Sequence, residues 1–274
     1  MDDDCRTRYP LLLVHGMGFR GNADGMFSYW GRIPDTLRGR GAVLYFGHHD
    51  GFGTIESNAD ILKDEISSII QDGHEKVNII AHSRGGLEAR YAATKLGCAE
   101  KIASITTICT PHRGSRTMDF VIGIPFALSI ASVVVYPFAK LLGDKKPKFK
   151  ECCESFGSGY MERYNFETPD DPDVQYYSYA AVMKKPLSDI FMCWQNALIR
   201  IADGPNDGLV SVESAQWGDF GGVWRSVSNR GISHMDVLDF RRKPFTTQAD
   251  YDEGVYDICE AWASHVRKLK MKGL

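Results

Sequence analysis

The sequence lacks the features by which several classes of protein are recognised. It has no basic surplus, because 32 lysines and arginines stand against 35 aspartates and glutamates. This balance argues against a nucleic-acid binder or a binder of anionic membranes. There is no low-complexity tract and no internal repeat, so a disordered, fibrous or solenoid protein is not indicated. No G-x-x-x-x-G-K-[ST] string occurs, which argues against a nucleotide site.

The cysteines and the N-terminus also lack familiar signals. None of the seven cysteines forms a C-x-x-C pair, so neither a zinc ribbon nor a thioredoxin-like site is supported, and we expect reduced, mostly buried thiols. Residues 1–4 are acidic where a secretory signal would be basic and then apolar. No signal peptide is visible, so we expect a cytoplasmic protein or a secreted protein whose leader has been removed.

What the chain does contain is an alternation of strands and helices. With 274 residues, 43% of them hydrophobic, it can form one large domain, and we assign residues 1–274 to a single domain. Short apolar runs alternate with segments of helical periodicity, which predicts an α/β fold with a mostly parallel central sheet flanked by helices. The predicted strands are 11–14, 42–46, 77–81, 102–109, 175–180 and 223–227. Helices are predicted from Ile55 to Gly73, from Gly85 to Gly97 and from Val255 to Leu269.

Ser83 lies between a predicted strand and a predicted helix, in the string A-H-S-R-G-G. Small residues on either side, Ala81 and Gly85, leave room for the strained turn that exposes a nucleophilic hydroxyl at the edge of a sheet. A serine hydroxyl needs a base, and the base needs an orienting carboxylate. Because many small-x-Ser-x-Gly strings are plain turns, this candidate depends on finding those partners.

Downstream loops supply both partners in the expected order. Asp207 lies in the string N-D-G-L-V and His234 in S-H-M-D. Alternatives remain for each: Asp207 suits an Asx turn, Asp203 is a rival acid, and seven other histidines compete with His234. The backbone amides of Met17 and Arg84 are the candidate donors to an oxyanion, since one follows the nucleophile and the other follows the first strand.

Together these strings resemble the bacterial triacylglycerol lipases of the Pseudomonas/Burkholderia type, an α/β-hydrolase family. The resemblance is carried by residues 9–17, 81–87, 110–115, 206–210 and 234–236. It implies Ser83 as nucleophile, Asp207 as acid, His234 as base, and Met17 and Arg84 as oxyanion donors. It also implies a lipid ester, such as an acylglycerol, as substrate, and no cofactor for catalysis.

The resemblance has two structural implications. Relatives hold a calcium ion near the histidine loop, so Asp236 and Asp189 are candidate ligands, although Asp236 also suits a simple loop cap. Secreted relatives often have a disulfide cysteine shortly after the N-D-G-L-V string. This chain has Glu213 there, so we expect no such disulfide.

Residues 112–172 form a predicted insertion, the lid or cap. Within it, residues 120–139 carry no charge, which allows a membrane span, a buried helix or an active-site lid. A single crossing would separate Ser83 from His234, so we expect no transmembrane span. A lid that contacts a lipid–water interface transiently explains the apolar surface. The lysines that follow, Lys140, Lys145, Lys146, Lys148 and Lys150, suit a solvated charge run or an anionic interface.

These observations predict a carboxylic ester hydrolase, and a triacylglycerol lipase is the favoured hypothesis. A phospholipase, a thioesterase or an acyltransferase would use the same residues. A non-catalytic interaction protein on the same fold is the alternative from another class.

Overall fold

A computed structural model describes residues 3–18, 28–141, 144, 147–246 and 254–274. Its centre is a sheet of six strands in the order β2-β1-β3-β4-β5-β6, and every neighbouring pair is parallel. The strands are β1 Leu11–Val14, β2 Leu44–Phe46, β3 Val77–His82, β4 Ile102–Ile108, β5 Gln175–Ala181 and β6 Asp219–Trp224. The helices are α1 Ile33–Gly39, α2 Ile55–Gln71, α3 Gly85–Lys95, α4 Arg116–Gly123, α5 Ala127–Leu141, α6 Phe149–Glu154, α7 Ser158–Glu167, α8 Cys193–Ala202, α9 Val212–Ala215 and α10 Ile258–Met271.

The central strands are short apolar runs because helices cover both faces of the sheet. Every residue of β1, β3 and β4 is buried, as expected for parallel strands. In the register of the sheet, Ala81 lies opposite both Val14 and Thr107. The carboxyl ends of β1, β3 and β4 therefore meet along one edge, where Ser83 follows β3.

The helices bury the faces that the sequence predicts. The apolar positions of α2, from Ile55 to Ile69, are buried, and its first turn is closed by a capping box between Thr54 and Ser57. On the other face of the sheet, Trp262 of α10 is fully packed in the core. These two layers hold the edge of the sheet in place.

Several predicted boundaries were wrong: β2 begins at Leu44 rather than at residue 42, and the last strand and the last helix are also displaced. The last strand is Asp219–Trp224 rather than 223–227. It starts directly after a turn at Gly218. It ends at Trp224 because the next residue, Arg225, forms its backbone hydrogen bond outside the sheet. The carbonyl of Arg225 accepts from the amide of Val255 at 2.7 Å. Helix α10 begins at Ile258 rather than Val255, because the Asp257 side chain caps it by accepting from the Cys259 amide.

The connection from β4 to β5 contains the apolar residues 120–139. It folds as helices α4 to α7, and a break of about one turn between α4 and α5 contains Pro125. Within the part of the chain that the structure describes, no single helix has the length and hydropathy to cross a bilayer. Helix α4 and residues 127–133 reach that length together only across an 86° bend. Lys145 and Lys146 lie outside the described residues.

All seven cysteines are free, and six of them are buried. Only Cys193 is partly exposed. This arrangement agrees with the expectation of reduced, mostly buried thiols.

Candidate active site

Ser83 occupies a strained turn at the end of β3. Its φ of 54° lies in the left-handed region that non-glycine residues rarely adopt. Two hydrogen bonds hold the turn, from the Ser83 amide to the carbonyl of Ile108 at 2.9 Å and from the Thr110 hydroxyl to the carbonyl of Ser83 at 2.6 Å. Gly85 is required because a Cβ there would lie 2.4 Å from the carbonyl oxygen of His15.

Asp207 and His234 are in direct contact, although 26 residues lie between them in the sequence. The Oδ2 atom of Asp207 is 2.7 Å from Nδ1 of His234. Its Oδ1 atom accepts from the amides of Leu209 and Val210 at 2.9 and 2.8 Å. Burial raises the pKa of Asp207, but His234 and these amides outweigh it, so the net pKa is lower than usual. An ionised Asp207 can only accept, so Nδ1 of His234 is the donor in this hydrogen bond.

Ser83 and His234 line the same cavity. It has a volume of about 300 Å³ and mostly apolar walls, formed by Met118, Val121, Phe156, Met192, Trp194, Ile199, Leu209, Val210 and others. Among the described residues, the Ser83 hydroxyl has no hydrogen bond to His234. Serine–histidine contacts of this kind often tighten only when a substrate is bound.

The rival residues have other partners. Asp203 accepts from the Ser115 hydroxyl at 3.2 Å and lies 3.7 Å from Arg116, so it does not contact His234. His112 packs on Trp217, and burial holds its pKa well below the usual value.

The two candidate oxyanion donors belong to the turns that follow β1 and β3. Met17 lines the cavity after β1, and Arg84 begins the turn into α3. Across the residues given in the structure, neither amide donates to a protein acceptor. Amides that donate to no described acceptor are available to hold an oxyanion.

The side chain of Arg84 is fully buried beneath this turn. Its guanidinium donates to the carbonyl of Gly53 and to Sγ of Cys152, both at 2.6 Å, and pairs with Glu88 one helical turn later at 2.9 Å. Burial raises the pKa of Glu88, but Arg84 and His49 outweigh it and lower that pKa to about 2. The pair is therefore charged in the interior.

His49 connects this ion pair to the loop after β1. Its Nε2 atom is 3.0 Å from Glu88, and its ring stacks on that of His15 at 3.6 Å. Each of the two histidine rings is also 3.1 Å from the other's carbonyl oxygen. The network thus runs from α3 to the residue that precedes the Gly16–Met17 turn.

Tyr29 and His82 form a second connection across the site. The Tyr29 hydroxyl accepts from the amide of Gly16 at 2.8 Å and is 2.6 Å from Nδ1 of His82. The His82 ring lies 4.5 Å from that of His234, and burial keeps the pKa of His82 well below its usual value. Both His15 and His82 therefore act as structural supports for the loops.

A family model described as a domain of unknown function, DUF7379, matches residues 2–119. A triacylglycerol lipase from Pseudomonas fragi is 38% identical to this chain over the full length of both proteins. The chain belongs to the triacylglycerol lipase family.

Further comparisons agree with membership of the triacylglycerol lipase family. Triacylglycerol lipase 2 of Saccharomyces cerevisiae is 30% identical over 79% of this chain and 64% of its own length. The chain spans less than half of two further bacterial relatives. The solved Staphylococcus hyicus lipase superposes with a TM-score of 0.69 at 17% identity, covering 97% of each chain. At that identity the likeness shows the fold, the α/β-hydrolase fold.

The two candidate calcium ligands, Asp236 and Asp189, both accept hydrogen bonds from the protein. Both carboxylate oxygens of Asp236 accept from the guanidinium of Arg241. Those of Asp189 accept from the Ser233 hydroxyl at 2.7 Å and the Phe191 amide at 3.0 Å. Calcium requires six to eight oxygen ligands at about 2.3–2.6 Å. Because these carboxylates already accept from protein donors, their arrangement does not fit that ion.

The sequence did not indicate several residues that shape this lipase-family site. Tyr29 and His49 gave no usable signal, whereas the spacing of Arg84 and Glu88 by four residues on a helix could have suggested their ion pair. A second exposed apolar segment lies outside the predicted insertion, beside the cavity. It consists of Leu187, Ile190, Phe191, Trp194, Leu198 and Ile201, each 45% to 87% exposed.

Proposed function

We propose that this chain is a carboxylic ester hydrolase that cleaves acylglycerols through Ser83, His234 and Asp207. The observation that carries the proposal is the 2.7 Å contact between Asp207 and His234 at the wall of an apolar cavity that also contains Ser83. Apolar walls suit an acyl chain, and the left-handed turn at Ser83 suits a nucleophile. The names of the family relatives support a lipid ester as the substrate.

In the proposed reaction, Nε2 of His234 takes the proton of the Ser83 hydroxyl as its oxygen attacks the ester carbonyl. The oxyanion accepts hydrogen bonds from the amides of Met17 and Arg84. Asp207 holds the imidazole and stabilises its charged form. The C–O bond then breaks, the alcohol leaves with the proton from His234, and water releases the fatty acid from Ser83. No cofactor takes part in these steps.

We also assign the lid role to α4 and α5. Their outward side chains are apolar and largely exposed, as is Phe126 in the break between them: Phe120, Phe126, Ile130 and Val133 are 69% to 77% exposed. Met118 and Val121 of α4 line the cavity, so movement of this helix would change access to Ser83. A lipid–water interface would cover the exposed surface while the cavity is open.

The test is hydrolysis of nitrophenyl esters of several chain lengths by the purified chain and by Ser83→Ala. We expect turnover and labelling by an ester-mimicking phosphonate in the unchanged chain only. Labelling that persists in Ser83→Ala would refute the nucleophile. Hydrolysis of none of the esters would favour a non-catalytic interaction protein.

Phospholipid, thioester and acyl-acceptor assays distinguish the other reactions that the same residues could perform. Faster release of fatty acid from a phospholipid or a thioester than from triacylglycerol would replace the substrate but keep the mechanism. Transfer of the acyl group to an added alcohol in preference to water would indicate an acyltransferase.

A further inference from the structure

Arg241 holds Asp236 with two parallel hydrogen bonds. Its Nε atom is 2.6 Å from Oδ1 of Asp236, and its Nη2 donates to Oδ2. The guanidinium also lies 5.3 Å from the ring centroid of Phe245. Only 17% of the Arg241 side chain and 4% of the Asp236 side chain are exposed. A bidentate pair that is screened from water in this way is stronger than an exposed one.

Asp236 in turn fixes the loop that carries His234. Its Oδ2 atom accepts from the amide of Ser233 at 3.0 Å, and the Ser233 hydroxyl accepts from the amide of Asp236 at 3.2 Å. The Ser233 hydroxyl donates to Asp189 at 2.7 Å. His234 lies inside this reciprocal pair, so its backbone is held from both sides.

The amide of His234 donates to the carbonyl of Asp207 at 2.8 Å. Displacement of the Ser233–Asp236 turn would therefore move the imidazole away from its acid. Misplacement by about 1 Å can cost about 100-fold in rate.

We infer that the guanidinium of Arg241 supplies the positive charge that a calcium ion would supply beside Asp236, and that Arg241 is a positioning residue for His234. This inference rests on the proposed function only for its kinetic consequence. An arginine in this position removes the need for a metal, because both oxygens of Asp236 already have donors and a compensating charge.

The first experiment measures thermal unfolding of the unchanged chain in excess EGTA and in excess CaCl₂. We expect the two midpoints to agree within about 1 °C, because a ligand that does not bind the folded state cannot stabilise it. A midpoint that rises by several degrees with calcium, or calcium binding detected by calorimetry, would overturn the inference.

The second experiment compares Arg241→Ala and Arg241→Lys, with Arg8→Ala as the matched control. Arg8 forms an exposed pair with Glu75, so its removal should leave midpoint and kinetics nearly unchanged. We expect Arg241→Ala to lower kcat by about 10- to 100-fold with a smaller change in KM. Arg241→Lys keeps the positive charge but cannot form the two parallel hydrogen bonds of the guanidinium, so its kcat should be intermediate.

Unchanged kcat in both Arg241 variants would refute the positioning role. If Arg241→Ala does not fold, the kcat of Arg241→Lys still decides the question. If the unchanged chain hydrolyses no ester, the proposed function fails, whereas the calcium experiment still tests the replacement of the ion. In that case, an unfolding midpoint of Arg241→Lys equal to that of the unchanged chain would also contradict the role of Arg241 in holding Asp236.

Discussion

Asp207 and His234 are joined twice, once through their side chains at 2.7 Å and once through the His234 amide and the Asp207 carbonyl at 2.8 Å. The side-chain bond selects the tautomer of the imidazole, and the backbone bond sets its position. Asp207 also accepts from two amides of its own loop. These bonds fix the orientation of its carboxylate, so the carboxylate can in turn orient the imidazole ring.

Asp207→Asn should lower kcat by about 10⁴-fold, because an amide can favour the wrong tautomer of His234. The fold should survive, since the Asn oxygen can still accept from the amides of Leu209 and Val210. Steady-state kinetics on a soluble ester measure the effect. Asp203→Asn is the control and should keep most of the activity; a larger loss there would exchange the roles of the two acids.

Tyr29→Phe should lower kcat more than it raises KM. The substitution leaves the buried amide of Gly16 without its acceptor, at a cost of about 1–3 kcal/mol, and Gly16 adjoins Met17, the candidate oxyanion donor. Kinetics and thermal unfolding should be measured together. Tyr45→Phe, which removes a hydroxyl bonded to Asp72, provides the comparison. Equal effects of the two substitutions on kcat would show that Tyr29 does not support the turn at Gly16 and Met17.

Glu88→Gln should destabilise the protein in a pH-dependent manner. The pKa of Glu88 falls from 4.5 to about 2 in the folded chain. Its contribution to stability is therefore fully present above pH 4.5 and is lost as the pH falls towards 2. The free energy of unfolding should differ by about 3 kcal/mol at neutral pH. Denaturant titrations across that range, with exposed Glu75→Gln as reference, should show the difference shrinking in acid; a constant difference would contradict the charged pair.

Phe126→Ser should reduce hydrolysis of an emulsified ester while leaving hydrolysis of a dissolved ester nearly unchanged. Phe126 directly precedes α5 and is 77% exposed, so it contributes apolar surface without packing in the core. Rates should be measured above and below the solubility limit of one substrate. Met271→Ser, which removes an equally exposed side chain from α10, should change neither rate. The lid role would be untenable if the two variants behaved alike.

The sheet and the edge that carries the candidate site could be predicted from the sequence because parallel strands leave a continuous apolar signal. Leu11–Val14 and Ile102–Ile108 are buried on both faces, and Ser83 follows the strand between them. The order of Ser83, Asp207 and His234 then assigns them to neighbouring loops.

Contacts that depend on tertiary structure could not be read in the same way. Nothing near Tyr29 in the sequence indicates that its hydroxyl meets Gly16 and His82. The edge strand β6 was placed too late because its alternating exposure gives a weaker signal than a buried strand. The sequence does not indicate the contact between Arg241 and Asp236, because a single arginine in a loop is usually solvated. Only the fold shows that the two side chains meet.

The tight fit at Gly85 limits how a protein of this kind can evolve. A methyl group there would clash with the His15 carbonyl, so a substitution at this edge disturbs the turn at Ser83 and the turn after β1 together. In its described residues, the connection between Ile108 and Gln175 contributes helices but no strand to the sheet. Insertions and deletions should therefore accumulate there, and mutant libraries aimed at new acyl preferences should diversify that connection first.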